Sequence, residues 1–258
     1  MLRLKFKIKS LFDVYKLKET EDKMQVLRKA SERGHTKNDW LDSRHTFSFG
    51  NYYDPQHMGF GPLRVINDDI VAPGQGFDTH PHDNMEIVSI VISGALEHKD
   101  SMGHGSIITP GDVQKMSAGT GIYHSEFNPS QTEPVHFLQI WIMPYTRNLT
   151  PMYQQKNFTD ADMRNLLCLV ASNEADKNTI LLHADAQIYQ SKLDEFKTVG
   201  FTVPKNKTAW IQVATGSIQI DEHLLNAGDG LAVWDEKKTF QITGKAKESN
   251  FVLLELAR

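Results

Sequence analysis

Two histidine pairs hold the side chains of this sequence best suited to chemistry. The first is His80–Pro81–His82, within "GQGFDTHPHDNMEIV", and the second joins His124 to Glu126, within "SAGTGIYHSEFNPS". Residues two apart on a strand point to the same face. Each pair can therefore offer two donors to one point, and two neighbouring strands could supply four. Imidazole nitrogen and carboxylate oxygen suit iron, manganese, nickel, copper, cobalt or zinc. Either pair alone reads more simply as surface or loop residues. Two same-face pairs in one β-rich stretch, with glycines around both, favour a metal site. Nine of the eleven histidines fall within the first 136 residues, which concentrates the chemistry in the N-terminal half.

The elements that must position these pairs are strands. Short β-branched and aromatic runs separated by glycine-bearing turns dominate, the pattern of a sandwich or small barrel. "EIVSIVISG" reads as one strand, "SIITPGDVQKM" as two folded about Pro110-Gly111-Asp112, and "HFLQIWIMP" as another ended by Pro144. "TDADMRNLL" predicts a short helix capped by Thr159 or Asp160. The C-terminal third returns to strands in "AWIQVATGSIQI", "GDGLAVWDE", "TFQIT" and "NFVLLEL". Placing Gly94 of "VISGAL" over Gly216 of "VATGSI" suggests an internal repeat, with Thr202 and Pro204 opposite His80 and His82. On that register only the first half keeps the metal chemistry.

The bulk properties narrow the function classes. With 40% hydrophobic and 23% charged residues over 258 positions, the chain is a globular protein with a real core. A net charge of -4 supplies no overall footprint for nucleic acid, and no window is apolar enough to span a membrane. The single cysteine, Cys168 in "NLLCLVAS", excludes an intramolecular disulfide and reads as a buried strand residue. Residues 1–23 alternate Leu2, Leu4, Phe6 and Ile8 with Arg3, Lys5, Lys7 and Lys9 and lack the apolar run of a secretory signal. They read as a peripheral extension, with Met24 the expected first working residue, and the protein is expected in the cytoplasm.

The glycines around the pairs resemble the two signature motifs of the cupin superfamily. The first motif has one extra residue before its closing glycine, and the second has Gly119 where proline is the rule. One cupin branch shows these departures. "RGHTKNDWLDSRHTFSFGNYYDP", "MGFGPLRVINDD", "GFDTHPHDNMEIVSIVISGALEHKDSMG" and "MSAGTGIYHSEFNP" together resemble the pirin family, densely over residues 26 to 150.

That resemblance implies an all-β fold of two packed cupin barrels with a few short helices. It implies a metal-binding domain over residues 24–148 and a cupin-like domain without ligands over 149–258. The ligands it implies are His80, His82, His124 and Glu126. Strand geometry agrees on the glutamate: Glu86 lies about 13 Å beyond His82 if extended, whereas Glu126 is one strand repeat from His124. Glu86 is expected beside the site or in a strand, and His98 and His104 as loop or supporting residues. His45 and the remaining histidines are assigned no role.

The implied activity is that of a quercetin 2,3-dioxygenase, with iron(II) the expected metal and a flavonol and dioxygen as substrates. Glu126 is the expected base, and Phe47, Phe49, Phe77 and Met85 are expected to wall the pocket. The alternative within the same resemblance is a metal-dependent regulator that binds a transcription factor or metabolic enzyme without turnover. A monomer is expected, with neither direct nucleic-acid binding nor a membrane.

Overall fold

The computed structural model describes residues 25–174, 178–234 and 239–258, and the extension expected over residues 1–23 lies outside them. The first half lays down β1 (Gln25–Arg28), β2 (Gly34–Lys37), β3 (Leu41–His45), β4 (Leu63–Val71), β5 (Gly76–His82) and β6 (Glu86–Ser93). It continues through β7 (Leu96–Asp100), β8 (Gly105–Ile108), β9 (Asp112–Ser117), β10 (Ile122–Phe127), β11 (Val135–Ile142) and β12 (Met152–Asn157). The second half adds β13 (Cys168–Ser172), β14 (Ile180–Leu181), β15 (Ala186–Asp194), β16 (Thr198–Thr202) and β17 (Lys207–Thr215). It closes with β18 (Ser217–Ile220), β19 (His223–Asn226), β20 (Gly230–Val233), β21 (Thr239–Gly244) and β22 (Glu248–Ala257).

Helical structure among the described residues is a 3-10 turn, Ala30–Glu32, and a single-turn helix, Asp160–Met163. The second begins where the sequence predicts. The Thr159 backbone N–H and hydroxyl donate to the Asp162 carboxylate at 2.7 and 2.6 Å, which satisfies the free first turn.

Each half is a pair of facing sheets. The first half has the strand orders β12-β9-β6-β11-β4-β3-β2 and β5-β10-β7-β8. The second has β1-β20-β17-β22-β15-β13-β14 and β16-β21-β18-β19. The two plans match except at one edge, where β2 precedes β3 and pairs with it antiparallel while β14 follows β13 and pairs with it in parallel, so the molecule is two jelly-roll barrels of closely similar topology. The glycine turns that suggested the repeat are equivalent in it. Gly94 joins β6 to β7 at φ +79° and Gly216 joins β17 to β18 at φ +74°. A Cβ on either would lie 2.5 Å from the Pro134 carbonyl oxygen or 2.3 Å from that of Glu248, so both the turn and the close approach require glycine.

The halves are tied together twice over. β1 pairs with β20, and β12 pairs with β9, so each large sheet has an edge covered by a strand from the opposite side of the expected 148/149 division. One apolar cluster also spans both, with Phe47, Phe60 and Leu63 packed among Trp210, Val252 and Leu254. The second barrel is filled by apolar side chains, including Val199 and Phe201 on β16 and Phe240 and Ile242 on β21. Their counterparts in the first barrel, β5 and β10, carry the histidines instead. Among the described residues, both groups of side chains that could hold a metal lie in the first barrel.

Candidate metal centre and its cavity

Among the described residues β5 is the edge strand of its sheet, paired with β10. Pro81 therefore removes no ladder hydrogen bond that the sheet needs. In the antiparallel register His124 sits opposite His80, and Ile122 opposite His82. A bulge between His124 and Glu126 then sets Glu126 opposite Phe77 on one side and His98 of β7 on the other. The donor atoms of His80, His82 and His124 all lie within 4.8 Å of one another. A second group, His98, His124 and Glu126, overlaps the first and meets the same 4.8 Å limit.

Hydrogen bonds set which nitrogen is bare in His98, His124 and His80. Asp100 accepts the backbone N–H groups of Met102 and His104 at 2.9 and 3.1 Å, and His98 Nε2 donates to it at 3.2 Å. Burial pushes the Asp100 carboxyl up, but those donors outweigh it and hold it below the usual carboxylate range. With its proton on Nε2, His98 presents a bare Nδ1, and His124 Nδ1 faces it at 3.4 Å. His124 therefore carries its proton on Nδ1 and turns a bare Nε2 inward. That Nε2 is buried and has no hydrogen-bond partner among the described residues. His80 is arranged alike: its Nδ1 donates to the Asp78 carbonyl at 2.7 Å and leaves Nε2 free.

Burial, followed by the neighbouring imidazoles, pulls His82 down to about 4 and His124 down to about 3. Both are neutral near pH 7, the form with a lone pair to share. Glu126 is 2% exposed, with one oxygen accepting from Ser89 at 3.3 Å and the other from the Gln139 amide at 2.6 Å. The Trp141 indole N–H in turn donates to Gln139 at 3.1 Å and fixes the amide. Bare ring nitrogens converging beside an oriented carboxylate, one of them an orphan in the interior, are a donor set that fits a divalent transition metal.

A cavity of about 300 Å³ borders His80, His82 and Glu126. Phe49, Phe77 and Trp141 form its apolar walls, as expected for the two phenylalanines. The other two expected wall residues do not line it. Phe47 is in the shared core with its ring 5.0 Å from that of Trp210, and Met85 packs on the cluster around Ile87 and Met116. The far wall holds polar side chains that the sequence reading left out: Ser43 and His45 on β3, Asn67 and Asp69 on β4. Their alternation within "LDSRH" and "VINDDIV" was the available signal, since a strand with polar residues on its inward face marks a cavity rather than packed core.

The comparisons with known proteins come down on one family. Residues 26–142 match the Pirin family profile, and residues 169–256 match that of the quercetinase C-terminal cupin domain. A quercetin 2,3-dioxygenase of Escherichia coli (strain K12) is 48% identical over 214 residues, which cover 83% of this chain and 91% of that protein. The chain belongs to the pirin family.

Another relative, a putative quercetin 2,3-dioxygenase of Pasteurella multocida, is 41% identical over 90% of this chain and 100% of its own length. Among solved structures, the bacterial pirin YhhW of Escherichia coli in complex with nickel(II) is 45% identical, with a TM-score of 0.84 over 90% of this chain and 99% of that one. A quercetin 2,3-dioxygenase from Acinetobacter baumannii, 23% identical at a TM-score of 0.73, shares the fold.

Within this pirin-family frame the remaining candidates fall into place. Glu86 lies on β6 away from the cavity, 3.3 Å from buried Lys115 and accepting the His183 N–H at 3.1 Å. His98 is a strand residue, fully buried behind His124, while His104 is half exposed and reaches Asp100. Asn128, which closes the second motif, staples the strand end: its amide donates to the Val71 and Glu133 carbonyls at 3.1 and 2.8 Å.

Proposed function

We propose that this chain is a metal-dependent dioxygenase that opens the heterocycle of a flavonol with dioxygen and releases carbon monoxide. The observation that carries the reading is the buried Nε2 of His124, without a hydrogen-bond partner among the described residues, on a ring grouped with the two β5 histidines that border a cavity of substrate size. His80, His82, His124 and Glu126 are the ligands in this reading. Iron(II) is the metal, and manganese, nickel, copper, cobalt and zinc suit the same donors. The names of the relatives support the reaction class.

When bound, the metal supplies open coordination positions at which a hydroxy-ketone and dioxygen can meet. The chain's own residues do the rest. Glu126, which lines the cavity, would take the proton of the flavonol 3-hydroxyl. Ser89 and Gln139 hold its oxygens in place for that transfer. Phe49, Phe77 and Trp141 hold flat rings and exclude water. All four donors come from one chain, so the chemistry needs no second copy. The metal unit is residues 24–148, with 149–258 as its buttress.

The test is anaerobic reconstitution with iron(II), then admission of air and quercetin, following flavonol absorbance and carbon monoxide together. Turnover that His124→Ala abolishes supports the proposal. Full metal occupancy without consumption of any flavonol overturns it in favour of the regulatory alternative.

A further inference from the structure

The cavity has a second polar pole that the metal chemistry does not use. The metal-ligand strands β5 and β10 form one sheet of the barrel, and β3 and β4 belong to the facing sheet. Asn67 and Asp69, two residues apart on β4, therefore point into the cavity from the wall opposite the histidines. Each is 3% exposed.

Their hydrogen bonding is half spent. His45 Nδ1 donates to Asn67 Oδ1 at 2.8 Å, while the Thr36 hydroxyl donates to His45 Nε2 at 2.9 Å. Burial, its largest influence, lowers the His45 imidazole from its ordinary value, so the ring stays neutral and this proton pattern holds. Among the described residues the Asn67 amide N–H groups have no acceptor. The Ser43 hydroxyl donates to Asp69 Oδ1, and among the described residues the second Asp69 oxygen has no hydrogen-bond donor. One free donor and one free acceptor thus stand side by side on the cavity wall, on side chains that are otherwise buried. Groups so placed cost stability unless a ligand completes them.

We propose that Asn67 and Asp69 form a recognition site for two adjacent ring hydroxyls, so that the preferred substrate is a flat aromatic with a catechol at the end remote from the metal. One hydroxyl accepts from the Asn67 amide, and the other donates to the free Asp69 oxygen. Phe77 and Phe49 flank the ring between the poles. Burial, with the charges of Asp68 and Glu126, raises the Asp69 carboxyl to about 7 against the opposing Ser43 hydrogen bond and the more distant Arg33. Near neutrality a large share is protonated, which lets it serve a hydroxyl as donor or acceptor. This inference rests on the proposed flavonol reading and narrows it to one substitution pattern.

The test is anaerobic binding, which separates recognition from turnover. The full chain is loaded with nickel(II) and titrated with quercetin, whose remote ring carries two adjacent hydroxyls, and with the flavonol whose remote ring is bare. Quercetin is expected to bind at least ~10-fold more tightly, because the bare ring leaves both wall groups buried and unpaired. In Asn67→Ala and in Asp69→Ala the ratio of the two affinities is expected to fall toward one, with nickel content measured as the control for folding. Asp69→Asn, which keeps the shape and the Ser43 partner, is expected to give an intermediate ratio. Equal affinities in the wild type overturn the recognition site and leave the flavonol reading standing. A preference unchanged in both alanine variants does the same. If neither flavonol binds, both readings are overturned.

Discussion

The Nδ1 atoms of His98 and His124 face each other at 3.4 Å, deep in the first barrel. Two bare nitrogens would repel there, so one must carry a proton, and the Asp100 contact on the far side of His98 decides that it is His124. The chain Asp100–His98–His124 thus selects the tautomer whose Nε2 is free to bind a metal. Replacing His98 by phenylalanine keeps the ring but removes the acceptor. Metal affinity is expected to drop roughly 10- to 100-fold, read by competition with a chromogenic chelator, and His98→Gln should recover part of it. Unchanged affinity in His98→Phe would show that His124 orients itself.

Glu126 accepts from Ser89 with one oxygen and from Gln139 with the other. Glu126→Gln preserves its size and most of that network, while three histidines remain to retain the ion. Turnover of a flavonol is expected to fall by about 10²- to 10⁴-fold, with metal content little changed. A variant that keeps full turnover would remove the proton-transfer role from Glu126.

The Asp69 carboxyl, raised to about 7 chiefly by burial, links stability to pH. Its proton is kept in the folded chain, whereas the unfolded chain releases it near pH ~4. The contribution is therefore complete below that pH and is lost as pH rises through about 7. Between these limits the metal-free wild type is expected to lose up to ~4 kcal/mol relative to Asp69→Asn. Chemical denaturation at several pH values reads the difference. Parallel pH profiles for the two proteins would contradict it.

Lys115 and Glu86 form a fully buried pair at 3.3 Å, tied to the second half through His183. Lys115→Met strands the carboxylate and is expected to cost ~3–5 kcal/mol. Adding Glu86→Leu should restore part of that loss, because the unpaired carboxylate is then gone while the His183 N–H loses its acceptor. A double variant whose loss equals the sum of the two single losses would rule out direct coupling.

Most of the strand plan was legible in the sequence because period-2 alternation and glycine turns are local signals. "EIVSIVISG" and "HFLQIWIMP" became β6 and β11, which pair with each other in the centre of the large sheet. The matched turns at Gly94 and Gly216 disclosed the repeat, since a positive φ and a close backbone contact admit one residue type at both. The wall residues were less legible. Phe47 and Phe49 differ by two positions and share an alternation, yet one packs on Trp210 of the other half and the other lines the cavity beside Trp141.

What the sequence by itself determined is which side chains share a face: His80 with His82, His124 with Glu126, Asn67 with Asp69. Backbone geometry within one strand settles that, with no reference to the rest of the molecule. Only the tertiary structure decided which faces meet. The register that sets His124 opposite His80, the bulge that turns Glu126 toward His98, and the facing of β4 across the cavity all follow from closing a barrel. Closure joins segments many residues apart, and their pairing depends on the fit of the whole interior, which no local pattern encodes.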